Sequence, residues 1–127
     1  MVTPLEVELI ESQPGEFEVE DSVLVTYRIL SIKAAKVGNG YSMSSAIDVV
    51  TRFRQQQRVI GICGAGNAPY RSASFKLVKM AHATVKVEGK VFEVFTEPVA
   101  VMIADGYITP LGEPCIALYT ATGWSVK

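Results

Sequence analysis

From Ala73 to Val87 the chain alternates between apolar and polar residues with a period of two. Ala73, Phe75, Leu77, Ala81, Ala83, Val85 and Val87 fall on one face, and Ser74, Lys76, Met80, His82, Thr84 and Lys86 on the other. Successive side chains of a strand point to opposite faces, so this pattern calls for a half-buried sheet. Lys79 breaks the alternation, which predicts a bulge or an end of burial there. Glu88 and Gly89 then give a two-residue hairpin signal, and the hairpin sets a register. Val85 faces Phe92 and Ala83 faces Val94 on the buried side, while His82 faces Phe95 and Thr84 faces Glu93 outside.

Other segments extend the sheet. Leu5 to Ile10 alternates apolar and acidic residues, a turn follows at Gln13, Pro14 and Gly15, and Val23 to Lys33 reads as an interior strand with apolar residues on both faces. Val59 to Cys63 is a short apolar strand leading into a glycine-rich tip. Asp105 and Gly106 predict a second hairpin between Val99 to Ala104 and Tyr107 to Thr109, and Cys115 to Thr120 a last strand. Between these, Gly38, Asn39 and Gly40 break the β pattern, Ser42, Ser44 and Ser45 offer N-caps, and Met43, Ala46, Val49, Val50 and Phe53 line up at 100° per residue. The spacing predicts an amphipathic helix over residues 43–57. The expected fold class is α+β, an antiparallel, meander-rich sheet with that helix packed on it, and residues 1–127 are expected to form one domain.

The 127 residues, 49% of them hydrophobic, suffice for one well-covered core. The sequence offers neither a membrane-spanning apolar run nor a basic leader, so a cytoplasmic location without membrane association is expected. In a reducing cytosol Cys63 and Cys115 are expected to be buried free thiols.

Charge is strongly segregated. Residues 1–21 carry Glu6, Glu8, Glu11, Glu16, Glu18, Glu20 and Asp21 with no Lys or Arg. Residues 22–92 carry eleven Lys and Arg against Asp48 and Glu88 alone. Cations gathered on one region attract phosphates and release their counterions, so the expected partner is a nucleic acid, DNA or RNA. The residues expected to carry binding are Lys33, Lys36, Arg54, Arg58, Tyr70, Arg71, Lys76, Lys86 and Lys90. Arg54 and Arg58 would stand four apart on the helix without a carboxylate partner, and Tyr41, Tyr70 and Phe95 are the stacking candidates. This expectation requires the cationic middle to form a continuous face that the glutamate-rich start does not neutralise.

Catalytic signatures are weak. Gly64, Gly66 and Pro69 after a strand lack the helix that a dinucleotide loop needs. Cys63, His82 and Asp48 match no nucleophile motif, and Cys63, Cys115 and His82 contain no short ligand pair, so neither a metal nor any other cofactor is expected. Asp48 is the best general-base candidate, with an ion pair to Arg52 as its plainer role.

Ile32, Lys33 and Ala34, a glycine break, and then Ser44, Ser45, Ala46, Ile47, Asp48, Val49 and Val50 resemble the strand, lysine-bearing loop and helix of the Alba family of archaeal chromatin and RNA-binding proteins. The resemblance covers about a third of the chain and implies a dimer that lays Lys33, Lys36 and the hairpin carrying Lys76, Lys86 and Lys90 against a nucleic-acid backbone. A central helix followed by a meander also looks like the hot-dog fold, which would place Asp48 near an acyl thioester across a dimer interface. A third alternative is a structural subunit that assembles with its own copies, through an apolar C-terminal third containing Pro98, Tyr107, Leu111 and Trp124.

Overall fold

A computed structural model describes residues 2–64 and 68–127. Among these residues every regular element is a strand. They are β1 (Val2–Leu5), β2 (Glu8–Gln13), β3 (Gly15–Val19), β4 (Val23–Val37), β5 (Gly40–Phe53), β6 (Gly61–Ile62), β7 (Arg71–Ala73), β8 (Phe75–Lys79), β9 (Ala81–Val87), β10 (Lys90–Ile108) and β11 (Pro114–Val126). Two long strands organise two sheets. In the first, β4 pairs with β5 along one edge and with β1 and β3 along the other, and β8 extends β3. In the second, β10 pairs with β11 along one edge and with β9, β7 and β6 along the other, and β2 extends β9.

The expected helix over 43–57 is strand β5, and the fold is all-β rather than α+β. The same residues also carry a period of two, which splits the stripe read at 100° by placing Ala46 and Val50 on the outer face. Met43, Ser45, Ile47, Val49, Thr51 and Phe53 turn inward, while Ser42, Ser44, Ala46, Asp48, Val50 and Arg52 are exposed. Ile47, Val49, Val50 and Thr51 are β-branched, and crowding at χ1 favours a pleated strand over a helix for such a run. Gly38 and Asn39 are not a lead-in to a helix. They form a two-residue hairpin loop between the paired Val37 and Gly40, with Gly38 at φ 59°, and glycine in the first loop position suits the twist of the flanking strands. The serines therefore cap nothing.

The hairpin at Glu88 and Gly89 has the register read from the sequence, with Val85 opposite Phe92, Ala83 opposite Val94, His82 opposite Phe95 and Thr84 opposite Glu93. The expected hairpin at Asp105 and Gly106 is absent. There β10 runs on, its pairing with β11 slips between Ile103 and Ile108, and Gly106 at φ 78° absorbs the irregularity. The chain reverses instead at Thr109 to Glu113, closed by the Thr109 N–H donating to the Glu113 carbonyl at 2.8 Å. Segments read as single strands change sheets midway. The chain leaves the first sheet after β1, returns at Gly15, and the run from Arg71 to Val87 visits the second, first and second sheets as β7, β8 and β9.

The two inner faces share one core, centred on Phe17, Tyr27, Ile29, Val85, Phe92 and Val94. Phe17 meets both Tyr27 and Phe75 edge to face. Tyr27 is fully buried, and burial pushes its phenol up, so the neutral hydroxyl donates to the Thr96 carbonyl at 2.7 Å and accepts the Ala81 N–H at 3.1 Å. It thereby ties β4 to β9 and β10. Gly15 lies against the same ring, where any Cβ would stand 2.4 Å from the Ala81 nitrogen and 2.5 Å from the tyrosine ring. Where β5 passes β11, hydroxyls take the place of a ladder: Ser45 bonds Thr96 and Thr122, and Thr51 donates to the Pro114 carbonyl.

Cys63 and Cys115 form a disulfide and are not free thiols. The bond holds β6 to the start of β11 over a small separate cluster with Ala104 and Tyr107. With the cysteines 52 positions apart, closing the loop stabilises the folded state by about 4 kcal/mol on chain-entropy reckoning.

Tyr27→Phe keeps the ring and removes the hydroxyl, which leaves the Ala81 N–H without its phenol acceptor in a buried position. The expected loss is about 1–3 kcal/mol, seen as a lower urea midpoint with an unchanged slope.

Candidate functional site

The nine residues expected to bind nucleic acid do not share a face. Lys33, Lys36, Lys86 and Lys90 lie towards one end of the sheets, near the tips of the β4–β5 and β9–β10 hairpins. Arg54 and Arg71 lie towards the other, where Arg54 donates its N–H to the Ser22 carbonyl. At about 3.3 Å per residue along β4 the two groups are some 40 Å apart. Arg58 and Tyr70 are exposed in the connection between β5 and β7.

The acidic start interleaves with these cations. Glu18 pairs with Arg54 at 3.1 Å and stands opposite Lys76, Glu16 stands opposite Lys79, and Glu8 opposite Lys86. Arg71 is forked between Glu20 and Asp105, and its hydrogen bonds hold both carboxyls below their ordinary range. Exposed pairs of this kind add little stability, but they cancel the field that a polyanion would sense. At the other end Lys36 and Lys90 approach the Tyr41 ring at 5.8 and 5.5 Å, and the Tyr41 hydroxyl donates to Glu88. That hydrogen bond first, and then the Lys36 charge, lower the Glu88 pKa against the effect of burial.

Asp48 is exposed on the outer face of β5, opposite Arg28 rather than one turn from Arg52. It lines a groove of about 320 Å³ with Pro14, Thr26, Leu30 and Val50, whereas His82 belongs to the other sheet and Cys63 is consumed by the disulfide. Among the described residues no three His, Cys, Asp or Glu side chains gather as metal ligands. The helix that the Alba and hot-dog resemblances both need is β5.

A wider concavity lies elsewhere, on the outer face of the second sheet. It is a hollow of about 560 Å³ bordered by Met80 and His82 at the start of β9, Phe95 and Glu97 of β10, and Ala121, Thr122 and Gly123 of β11. Outward positions alternate along each strand, and the ladders set Phe95 between His82 and Gly123 and Glu97 beside Ala121. Large residues on β9 and β10 thus face small ones on β11. A Cβ at Gly123 would meet nothing within 4 Å, so the hollow exists because β11 is cut away there.

One polar arrangement orients its wall. His82 Nδ1 stands 2.8 Å from Glu93 Oε1, and Glu93 Oε2 accepts from the Thr84 hydroxyl at 3.0 Å and pairs with Lys127 at 3.5 Å. An ionised carboxylate can only accept, so Nδ1 carries a proton and Nε2 is left free of Glu93. Burial raises the Glu93 pKa, but the hydrogen bonds from Thr84 and His82, with Lys127, outweigh it and leave the group below its ordinary value. Of these residues, sequence reasoning singled out His82 as a possible ligand or triad member and Phe95 as a stacking ring. It also placed Thr84 beside Glu93, but it missed Glu97, Ala121 and Gly123. The hairpin register already brought His82, Phe95 and Glu93 together. Only the pairing of β10 with β11 completes the hollow.

Among the described residues no helix is long and apolar enough to cross a membrane. Comparison with protein-family models, curated proteins and solved structures gave no significant match.

Because Glu93 is more acidic folded than unfolded, its contribution to stability is full above the ordinary glutamate range and disappears as pH falls through its lowered value. Urea midpoints followed from pH 7 to pH 3 are expected to fall less steeply for Glu93→Gln than for the natural protein, and Thr84→Val is expected to lie between them.

Proposed function

We propose that this chain is a non-catalytic binding module, and that its recognition surface is the hollow on the outer face of the second sheet. The observation that carries this reading is an apolar depression, about 560 Å³, whose lone imidazole is held in one tautomer by a saturated carboxylate. Ligand sites are typically of this size, mainly apolar, with a few fixed polar groups. Catalysis would need a second reactive group beside His82. The Thr84 hydroxyl is bonded to Glu93 and the Thr122 hydroxyl to Ser45.

The nucleic-acid reading keeps one supporting feature, the convergence of Lys36 and Lys90 on Tyr41 with Lys33 nearby. Its premise of a continuous cationic face is not met, since glutamates stand among the lysines and arginines at both ends. The hot-dog alternative, with Asp48 beside an acyl thioester, lost its central helix. Assembly with a second copy draws support from Leu30 and Val50, exposed together on the outer face of the first sheet. For location, the disulfide favours an oxidising compartment over the cytoplasm.

Screening a library of small aromatic and aliphatic fragments by amide chemical shifts is expected to move Phe95, Ala121 and Gly123 and to leave the Asp48 groove still. In the same buffer, DNA and RNA oligonucleotides are expected to give no salt-sensitive shifts. Fragment hits confined to the Asp48 groove would overturn the proposal, and salt-sensitive shifts at Lys36, Tyr41 and Lys90 would replace it with the nucleic-acid reading.

A further inference from the structure

The hollow selects by chemistry as well as by shape. Its floor is the exposed ring of Phe95, 37% accessible, beside the bare backbone of Gly123. Met80 and Ala121 add apolar surface. An aromatic face left open in this way carries the negative side of its quadrupole outward.

The polar side chains on the border are acceptors. With Nδ1 donating to Glu93, His82 has only Nε2 left, an acceptor whenever the imidazole is uncharged. Glu97 is exposed and has no ion pair among the described residues, whereas Glu93 is matched by His82, Thr84 and Lys127, and Glu8 stands opposite Lys86. The Thr122 hydroxyl is shared with Ser45, and the backbone of β10 pairs with β9 as far as Thr96 and with β11 on its other side. Among the described residues no Lys or Arg borders the hollow. A ligand that satisfies this wall must bring the donors and the positive charge itself.

We infer that the hollow binds an organic cation: an ammonium or guanidinium group on an apolar or aromatic body, with the body against Phe95, Met80 and Gly123 and the cation at Glu97. This rests on the binding reading above and narrows it to one ligand class. A cation near an aromatic face is attracted by the ring, and a carboxylate beside that ring adds direction to the attraction. An anionic ligand would face Glu97 without a compensating base. A neutral one would bury the same apolar area and forgo the charge.

Three probes of nearly equal size separate these cases by calorimetric titration: 2-phenylethylammonium, 2-phenylethanol and 3-phenylpropionate. The cation is expected to bind about tenfold more tightly than the alcohol, and the carboxylate more weakly than either. Glu97→Gln is expected to bring the cation down to the level of the alcohol while leaving the alcohol unchanged. Gly123→Val fills the hollow from a position where a Cβ meets no neighbour, so the variant should fold normally and lose all three probes. Equal affinity for the cation and the alcohol would overturn the ligand class and leave the binding module standing. Binding of the cation that survives Gly123→Val would overturn both, as would failure of all three probes to bind the natural protein.

Discussion

The buried hydroxyl of Tyr27 sits where the two sheets must agree. It rises from β4 in the first sheet and bonds the Ala81 N–H and the Thr96 carbonyl, the pair that closes the β9–β10 ladder in the second. Apolar packing is non-directional and does not select one alignment, and this contact, with the Ser45–Thr96 hydroxyl bond beside it, supplies the direction. Gly15 passes flat against the same ring, so the crossover from β2 to β3 is fixed by one residue having no side chain. Met80 and His82 flank Ala81, and Phe95 and Glu97 flank Thr96, so the inward tie sets the outward wall of the hollow. Fold and candidate site depend on the same few atoms.

Charge shaped the surface differently from its distribution along the chain. The acidic start and the basic middle are separate in sequence and alternate in space, because β2 and β3 lie beside β9 and β8. Segregation along a strand-rich chain therefore says little about a surface, since antiparallel pairing brings distant segments side by side. What it does favour is pairing between segments of opposite sign, with Glu16, Glu18 and Glu8 opposite Lys79, Lys76 and Lys86.

Much of the second sheet was legible because its central hairpin is local: two turn residues and a strict alternation set the register of β9 on β10. Two things were not legible. The stretch from Met43 to Phe53 satisfies helical and strand periods at once, and only its β-branched composition and the Gly38–Asn39 turn favour the strand. The sheet changes at Pro14, Ser74 and Met80 leave the alternation almost intact, because a strand keeps one side inward whichever sheet it joins. The hollow shares this limit. His82, Phe95 and Glu93 follow from the hairpin, but Gly123 reaches Phe95 through a pairing between residues 28 apart in sequence. The disulfide likewise depends on the approach of β6 to β11.

A crystal structure of the protein with 2-phenylethylammonium tests the account most directly. It should place the ring on Phe95 between Met80 and Gly123, with the nitrogen about 3 Å from a Glu97 carboxylate oxygen. An empty hollow, with the ligand seated instead against Asp48 and Leu30 on the first sheet, would contradict it.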